Sequence, residues 1–140
     1  MVKLTCLLST YYDLPLLQGR LDNLLMQKRE GVDMEVIFIA ERESDELCDV
    51  LANWKYEIYE WFKIIETDGI PTLYDAWNMG IEIAEGEYLT NVNTDDRLYP
   101  GALQQMIDIL DNNPDIGVVY PDVHRVSEIG GEPFGTYTWA

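Results

Sequence analysis

Short apolar runs alternate with amphipathic segments along the chain, and this alternation predicts an α/β fold. Runs of this length and apolar content are typical of strands buried on both faces of a sheet. The segments between them are longer and repeat their apolar residues at helical spacing. The predicted strands cover residues 3–9, 35–40, 61–65, 87–93 and 116–120.

Four predicted helices connect these strands. They begin near Pro15, Ser44, Pro71 and Gly101, where a proline or a polar residue precedes apolar residues at helical spacing. The third helix ends at Gly86. The apolar residues expected to face the core are Leu17, Leu21, Leu24 and Leu25 in the first helix, Leu47 and Leu51 in the second, Leu73, Trp77, Ile81 and Ala84 in the third, and Leu103, Met106, Ile107 and Leu110 in the fourth.

The order of these elements indicates one domain, residues 1–140, with a mainly parallel sheet and right-handed crossovers. Residues 123–140 differ, because several glycines and a proline separate their aromatic residues. We expect a hairpin or a loop over the sheet there, and we interpret this tail as the start of a further region that is absent here, either cropped or never present. Trp54, Trp61 and Trp139 are interpreted as packing residues.

The composition narrows the classes of partner. The formal charge of −17 argues against nucleic acids and anionic membranes, because like charges repel. Cys6 and Cys48 have no metal-ligand spacing, and we expect two buried or half-buried thiols in a reducing compartment. No apolar run approaches the length of a transmembrane segment, and no signal peptide is recognisable, so we predict a cytoplasmic protein.

Two adjacent carboxylates mark the end of the fourth predicted strand. Asp95 and Asp96 follow the amide Asn93, and Pro100 lies in the first turn of the next helix. Open α/β sheets bind ligands at the carboxyl ends of their strands. Mg²⁺ is commonly held by one or two carboxylates together with substrate phosphates. The segment is therefore a candidate metal–phosphate site, and a plain strand-to-helix turn rich in Asn and Asp is the alternative.

A polar side of the third predicted helix precedes this candidate site. Tyr74, Asp75 and Asn78 are spaced so that they lie on one side of a helix. A solvated surface is one explanation. Part of a ligand site is the other, because site residues gather at one switch point of a sheet.

Four short motifs occur in register along the chain. They are YDAWNMGI at 74–81, AEGEY at 84–88, NTDD at 93–96 and PGAL at 100–103. With the first strand ending in Ser9-Thr10-Tyr11-Tyr12, this set resembles the family 2 glycosyltransferases of the GT-A fold, from Leu4 to about Tyr120. The resemblance implies a Rossmann-like three-layer sandwich with a mainly parallel sheet.

The resemblance also implies the chemistry of the site. It implies a nucleotide-sugar donor such as a UDP-sugar, a glycan or other hydroxyl acceptor, and Mg²⁺ or Mn²⁺ on the donor diphosphate. The metal ligands would be Asp96 and Asp95, with a ribose contact as the alternative for Asp95. Asn93 stands where many members carry the first Asp of the motif. The other nucleotide-sugar-binding positions would be Thr10, Tyr12, Glu41 (usually Asp in the family), Asp68, Tyr74, Asp75 and Asn78.

Members of this family generally invert the anomeric centre, with one general base that deprotonates the acceptor hydroxyl. No residue is nominated as that base, and His124, Glu128 and Glu132 of the tail do not qualify. The resemblance implies that residues 123–140 are the truncated start of an acceptor-side region, and an acceptor contact is then the alternative to packing for Trp139. One alternative is therefore a non-catalytic nucleotide-sugar-binding or regulatory module of the same fold. The other alternative is a purely structural flavodoxin-like domain. No glycine-rich phosphate loop follows the first strand, which argues against classical mono- or dinucleotide binding there.

Overall fold

The computed structural model describes residues 1–54 and 59–137. Ten helices and strands lie within these residues. In chain order they are β1 (Leu4–Ser9), α1 (Leu14–Arg29), β2 (Met34–Glu41), α2 (Asp45–Asn53), β3 (Phe62–Thr67), α3 (Leu73–Ile83), β4 (Tyr88–Asn91), α4 (Ala102–Asn112), β5 (Val123–Arg125) and β6 (Gly135–Tyr137).

Strands β1 to β4 form one parallel sheet in the order β3-β2-β1-β4. The larger core cluster packs α1, α2 and α4 against one face of this sheet. A smaller cluster packs α3 against the other face. Helices on both faces explain why the residues of β2 from Met34 to Ala40 are all buried. The three-layer α/β fold with a parallel sheet is the one that the sequence predicts.

The packing of α3 depends on small residues rather than on the predicted apolar stripe. Ala76 and Gly80 are its buried residues, and a Cβ at Gly80 would lie 2.5 Å from a methyl carbon of Leu7. The helix therefore lies close to the sheet. The prediction that Leu73 and Ile81 face the core is wrong, because they are 47% and 45% exposed.

The predicted fifth strand, residues 116–120, is also wrong. The segment has no strand structure, and four of its five residues are exposed. It lies beside β4 and lines a groove of about 350 Å³ there, but it makes no ladder with that strand. An apolar run becomes a strand only where a partner satisfies its backbone groups.

Helix α2 differs from the sequence prediction, and the tail can now be described. In α2, Val50 rather than Leu51 is buried, and Cys48 is exposed. The tail forms the predicted hairpin, in which β5 and β6 are antiparallel. Trp139 lies outside the described residues. No helix in the described part of the chain combines the length and the apolar content needed to cross a bilayer.

The buried carboxylate of Glu35 ties the amino-terminal edge of the sheet together. It accepts hydrogen bonds from the Thr5 hydroxyl and from the backbone N–H of Glu85, both at 2.6 Å, and lies 2.8 Å from Lys63 Nζ. Burial would raise the pKa of Glu35, but the Glu85 N–H, Lys63 and Thr5 outweigh burial and hold that pKa below its usual range. A Cβ at the neighbouring Gly86 would lie 2.5 Å from the backbone nitrogen of Thr5, so this close approach requires glycine.

Candidate active site

A cleft of about 860 Å³ opens at the carboxyl end of the sheet. The loops that follow β1, β2 and β4 surround it, together with the amino-terminal turn of α3. Parallel sheets bind ligands at this edge. Of the predicted site residues, Thr10, Tyr12, Glu41, Asn93 and Asp95 line the cleft.

The remaining predicted residues lie outside the lining of this cleft. Asp96 is exposed on the same loop as Asp95. Asp68 is 2.7 Å from Arg42, whose guanidinium belongs to the lining. Tyr74, Asp75 and Asn78 are exposed on α3. Five of the predicted site residues thus line the cleft, and a bound ligand would have to extend beyond it to reach the others.

The loop after β1 holds two tyrosines in an unusual backbone arrangement. Tyr12 has a φ of 50°, which is the left-handed conformation that a non-glycine residue rarely adopts. Its ring lies 4.6 Å from that of Tyr11 and is 79% exposed. Such strain persists where the surroundings fix it, and it clusters at ligand sites. The exposed ring is thereby presented at the cleft, where a flat nucleobase could stack on it.

Hydrogen bonds within the acidic loop orient Asp96. The side-chain amide of Asn93 donates to Asp96 Oδ2 at 3.4 Å, and the backbone N–H of Asp96 donates to the Asn93 carbonyl, also at 3.4 Å. Asn93 is therefore a partner of the acidic pair, although it lacks the charge of an aspartate. The two carboxylates remain exposed to a ligand.

Asp13 links the acidic loop to the loop after β1. The hydroxyl of Thr94 donates to its carboxylate, and the backbone N–H of Asp13 donates to Glu46 Oε1 at 2.9 Å. Burial raises the pKa of Asp13, while the Thr94 hydrogen bond acts in the opposite direction. Sequence reasoning missed these three residues, since their partnership joins positions far apart in the chain.

Arg97 fixes the backbone of the acidic loop against α1. Its Nη1 donates to the carbonyl oxygens of Thr94 and Asp96, and its Nη2 donates to the Leu16 carbonyl at 2.9 Å. Three backbone acceptors thus share one rigid guanidinium. Burial lowers the pKa of Arg97, and the nearby aspartates Asp95 and Asp96 act against that effect.

The buried side of α1 holds the residues that follow Arg97. Asn23 accepts from the backbone N–H of Leu98 and donates to the Leu98 carbonyl, both at 2.9 Å. One turn further on, Gln27 donates to the Tyr99 carbonyl at 2.8 Å. Asn23 and Gln27 were also missed. Their helical spacing along the apolar side of α1 is the signal that was available.

The charge of the cleft is strongly negative. Its lining contains one guanidinium, that of Arg42, and six carboxylates. The carboxylates belong to Asp13, Glu41, Glu43, Asp45, Glu46 and Asp95. An anionic ligand would be repelled here unless a cation accompanied it.

Asp95 and Asp96 with the Asn93 amide offer the oxygen ligands that Mg²⁺ or Mn²⁺ accepts. No cluster of three or more His, Cys, Asp or Glu residues able to hold a metal occurs in residues 1–54 and 59–137. The protein therefore supplies only part of a coordination shell. Such a donor set fits a metal whose remaining ligands are phosphate oxygens and water.

None of the tail residues that were rejected as general base lines the cleft. The ring of His124 contacts the Tyr99 hydroxyl, with Nδ1 at 3.0 Å from the oxygen. Glu128 and Glu132 lie in the exposed hairpin loop. The general base stays unassigned.

Comparisons with known proteins agree with this fold. Two solved structures superimpose well: S. aureus TarS 1-349 (TM-score 0.66, 22% identity, 81% of this chain and 33% of that chain) and the mannosyltransferase PcManGT from Pyrobaculum calidifontis in complex with GDP-Man and Mn²⁺ (TM-score 0.67, 21% identity, 77% of this chain and 32% of that chain). At this identity they show the fold alone. The chain spans about a third of the length of each.

Sequence comparison extends this result to the family. An uncharacterized protein, y4gI of Sinorhizobium fredii (strain NBRC 101917 / NGR234), is 38% identical over 55 residues, which are 39% of this chain and 6% of that protein. The family model described as Glycosyl transferase family 2 matches residues 5–133. With a match over most of its length and a GT-A fold, the chain belongs to glycosyl transferase family 2.

Proposed function

We propose that this chain is the donor-binding part of a glycosyltransferase that binds a nucleotide-sugar through a divalent metal and transfers the sugar to an acceptor hydroxyl with inversion. The observation that carries the proposal is the cleft at the carboxyl end of the sheet, whose lining includes Thr10, Tyr12, Glu41, Asn93 and Asp95. Its volume of about 860 Å³ suits a ligand of nucleotide size.

In this proposal, Asp95 and Asp96 would hold Mg²⁺ or Mn²⁺, and Asn93 would keep Asp96 in position. The metal would act as a Lewis acid that stabilises the negative charge developing on the leaving nucleoside diphosphate. Tyr12 and Thr10 would pack against the base, and Glu41 would accept hydrogen bonds from it. Asp68, Tyr74, Asp75 and Asn78 stay predicted contacts of the nucleotide-sugar.

The acceptor half of the reaction stays a prediction in every part. Inversion requires one base beside the acceptor hydroxyl. Such a residue is not identifiable in the described part of the chain. The tail, residues 123–140, is proposed as the start of the acceptor-side region, and the UDP-sugar preference and the cytoplasmic location likewise remain predictions.

Titration calorimetry tests the donor site directly. UDP and GDP would be titrated separately into the protein with Mn²⁺ and again with EDTA. Binding of at least one nucleotide that depends on Mn²⁺, and is lost in Asp96→Ala with the circular dichroism spectrum unchanged, supports the proposal. Asp108→Ala is the matched control, because it removes the same charge from an exposed position on α4 that does not line the cleft. A folded protein that binds neither nucleotide with Mn²⁺ would refute it.

A non-catalytic module with the same fold is the second candidate. No general base is identifiable in residues 1–54 and 59–137, so nucleotide binding without transfer is the alternative for this part of the chain. Both candidates predict nucleotide binding, so hydrolysis or transfer of the sugar must separate them. Incubation of a UDP-sugar or a GDP-sugar with protein, Mn²⁺ and a set of simple glycosides would be followed by mass spectrometry. A glycosylated product that Asp96→Ala does not form would exclude the non-catalytic module.

A further inference from the structure

Two arginines lie behind the acidic loop without an ion-pair partner. The chain has only nine Lys and Arg residues against 26 Asp and Glu. Among the described residues, every salt bridge uses Lys3, Arg42 or Lys63, so neither Arg20 nor Arg97 has a carboxylate within 4.0 Å. In a chain this acidic, two unpaired guanidinium groups at one place are unexpected.

Arg20 is the more deeply buried of the two. It is 2% exposed, its Nη1 donates to Asn23 Oδ1 at 2.9 Å, and its Nε has no acceptor. A buried charge without a partner is costly. Burial and the like charge of Arg97 lower the pKa of Arg20 to about 10, and the charges of Asp96 and Asp95 oppose this. Arg20 donates to the same Asn23 oxygen that accepts from the Leu98 N–H, and the neighbouring Gly19 meets the guanidinium of Arg97, so both charges lie beside the loop that carries the acidic pair.

Arg97 is the second of these guanidinium groups. All of its hydrogen bonds go to backbone carbonyls of the acidic loop and of α1, so its charge is not neutralised by a carboxylate in contact with it. The two carboxylates that Arg97 lies near are those proposed to bind the metal. The guanidinium groups and the metal would thus compete for the same negative charge.

This competition affects a bare cation and a metal–diphosphate complex differently. A divalent cation arriving alone meets carboxylates whose charge two arginines partly offset, and the protein offers no third acidic ligand among the described residues. In the complex, the negative charges of the diphosphate cancel that of the metal, so the repulsion from the arginines disappears. By Coulomb's law, the interaction between the arginines and a bare cation is repulsive at any dielectric constant, which changes only its size.

We infer that Arg20 and Arg97 weaken the binding of a bare divalent cation at Asp95 and Asp96 more than that of a metal–diphosphate complex, and so couple metal binding to the nucleotide. The inference rests on the proposed donor site. It assigns both arginines a positioning and electrostatic role, with no contact to the reacting atoms.

Binding of Mn²⁺ without nucleotide tests this inference. Free Mn²⁺ would be measured by electron paramagnetic resonance, and binding to Asp96→Ala would be subtracted, because the acidic surface also attracts cations. We expect Arg97→Gln to bind Mn²⁺ alone about three- to tenfold more tightly than the parent, as one charge at roughly 5–10 Å would allow in a watery site. Arg20→Gln should shift the affinity in the same direction.

Two further variants separate charge from structure. Arg97→Lys keeps the charge and loses the fork of hydrogen bonds, so it should not raise Mn²⁺ affinity. Arg29→Gln changes the net charge equally at the far, exposed end of α1 and should have no effect. A purely structural role predicts the opposite, since a loosened loop would bind Mn²⁺ more weakly.

The outcomes also distinguish this inference from the proposed function. If the parent protein binds neither UDP nor GDP with Mn²⁺, the donor site itself is wrong. If it binds one of them, but Arg97→Gln leaves the affinity for Mn²⁺ alone unchanged or lower, only the inference about the arginines is overturned.

Discussion

The guanidinium of Arg97 occupies the space that a side chain at Gly19 would need. A Cβ at position 19 would lie 2.7 Å from Arg97 Nη2, which is closer than atoms in contact allow. Gly19 lies inside α1, where glycine costs about 1 kcal/mol relative to alanine. Glycine, a poor helix former, therefore stands in α1 where the Arg97 guanidinium packs against the helix.

This relationship predicts a non-additive pair of substitutions. Gly19→Ala alone should gain little free energy of unfolding, because the methyl group displaces Arg97. In an Arg97→Ala background the space is free, and Gly19→Ala should stabilise by about 1 kcal/mol. Urea unfolding of the four proteins of the cycle measures the difference. An equal gain in both backgrounds would mean that the two residues do not interact.

A second prediction concerns Glu43 in the loop after β2. Its φ is 64°, a conformation that costs an L-residue roughly 1–2 kcal/mol and costs glycine little. Glycine also loses more entropy on folding, so Glu43→Gly should raise the free energy of unfolding by about 0.5–1 kcal/mol. Thermal and urea unfolding measure it. Glu43→Ala removes the same charge but keeps the Cβ, and an equal stabilisation by alanine would attribute the gain to charge instead.

The parts of the fold that follow from local pattern could be predicted from sequence. The buried runs at β1 and β2 are apolar because both faces of the sheet are covered, and that signal lies within each segment. Residues 116–120 carry a similar signal, yet they form no strand. Whether an apolar run finds a ladder partner depends on the rest of the molecule, which a local pattern does not contain.

In the candidate site, too, the contiguous motifs could be predicted from sequence and the long-range contacts could not. Asp95 and Asp96 are recognisable because their motif is contiguous, whereas Asp13 is joined to the acidic loop through a hydrogen bond from Thr94, 81 positions away. Arg20 and Gln27 could have been noticed as polar residues among the leucines of α1. Their spacing alone could not say that Gln27 meets the carbonyl of Tyr99.

A third prediction follows from the lowered pKa of Glu35. A carboxylate whose folded pKa is lowered stabilises the fold above its unfolded pKa, about 4.3, and this contribution is lost as the pH falls through the folded value. Glu35→Gln cannot form the ion pair with Lys63 and should cost about 1.5–3 kcal/mol at pH 7. The deficit should shrink below about pH 4, where the parent loses the same interaction.

Urea unfolding of the parent and of Glu35→Gln between pH 3 and pH 7 measures this dependence. Glu60→Gln is the control, because it removes a carboxylate from an exposed position. It should change the unfolding free energy by less than about 0.5 kcal/mol at either pH. A deficit of Glu35→Gln that stays constant across this range would show that the charge of Glu35 contributes nothing, and that the loss comes from packing.

The last prediction concerns Asn23, which holds the chain just after the acidic loop. Its side chain both accepts from and donates to the backbone of Leu98 and accepts from Arg20, so Asn23→Ala leaves two backbone groups and one guanidinium nitrogen without this partner and should cost about 1–3 kcal/mol of unfolding free energy. Because Leu98 follows Arg97 directly, the acidic loop should also hold the metal and nucleotide less firmly, and their joint affinity should fall several-fold in calorimetry. Asn53→Ala, which removes only an exposed hydrogen bond to Asp49 in α2, should change neither quantity. If Asn23→Ala loses stability and keeps full affinity, then α1 supports the fold at this point and has no part in shaping the donor site.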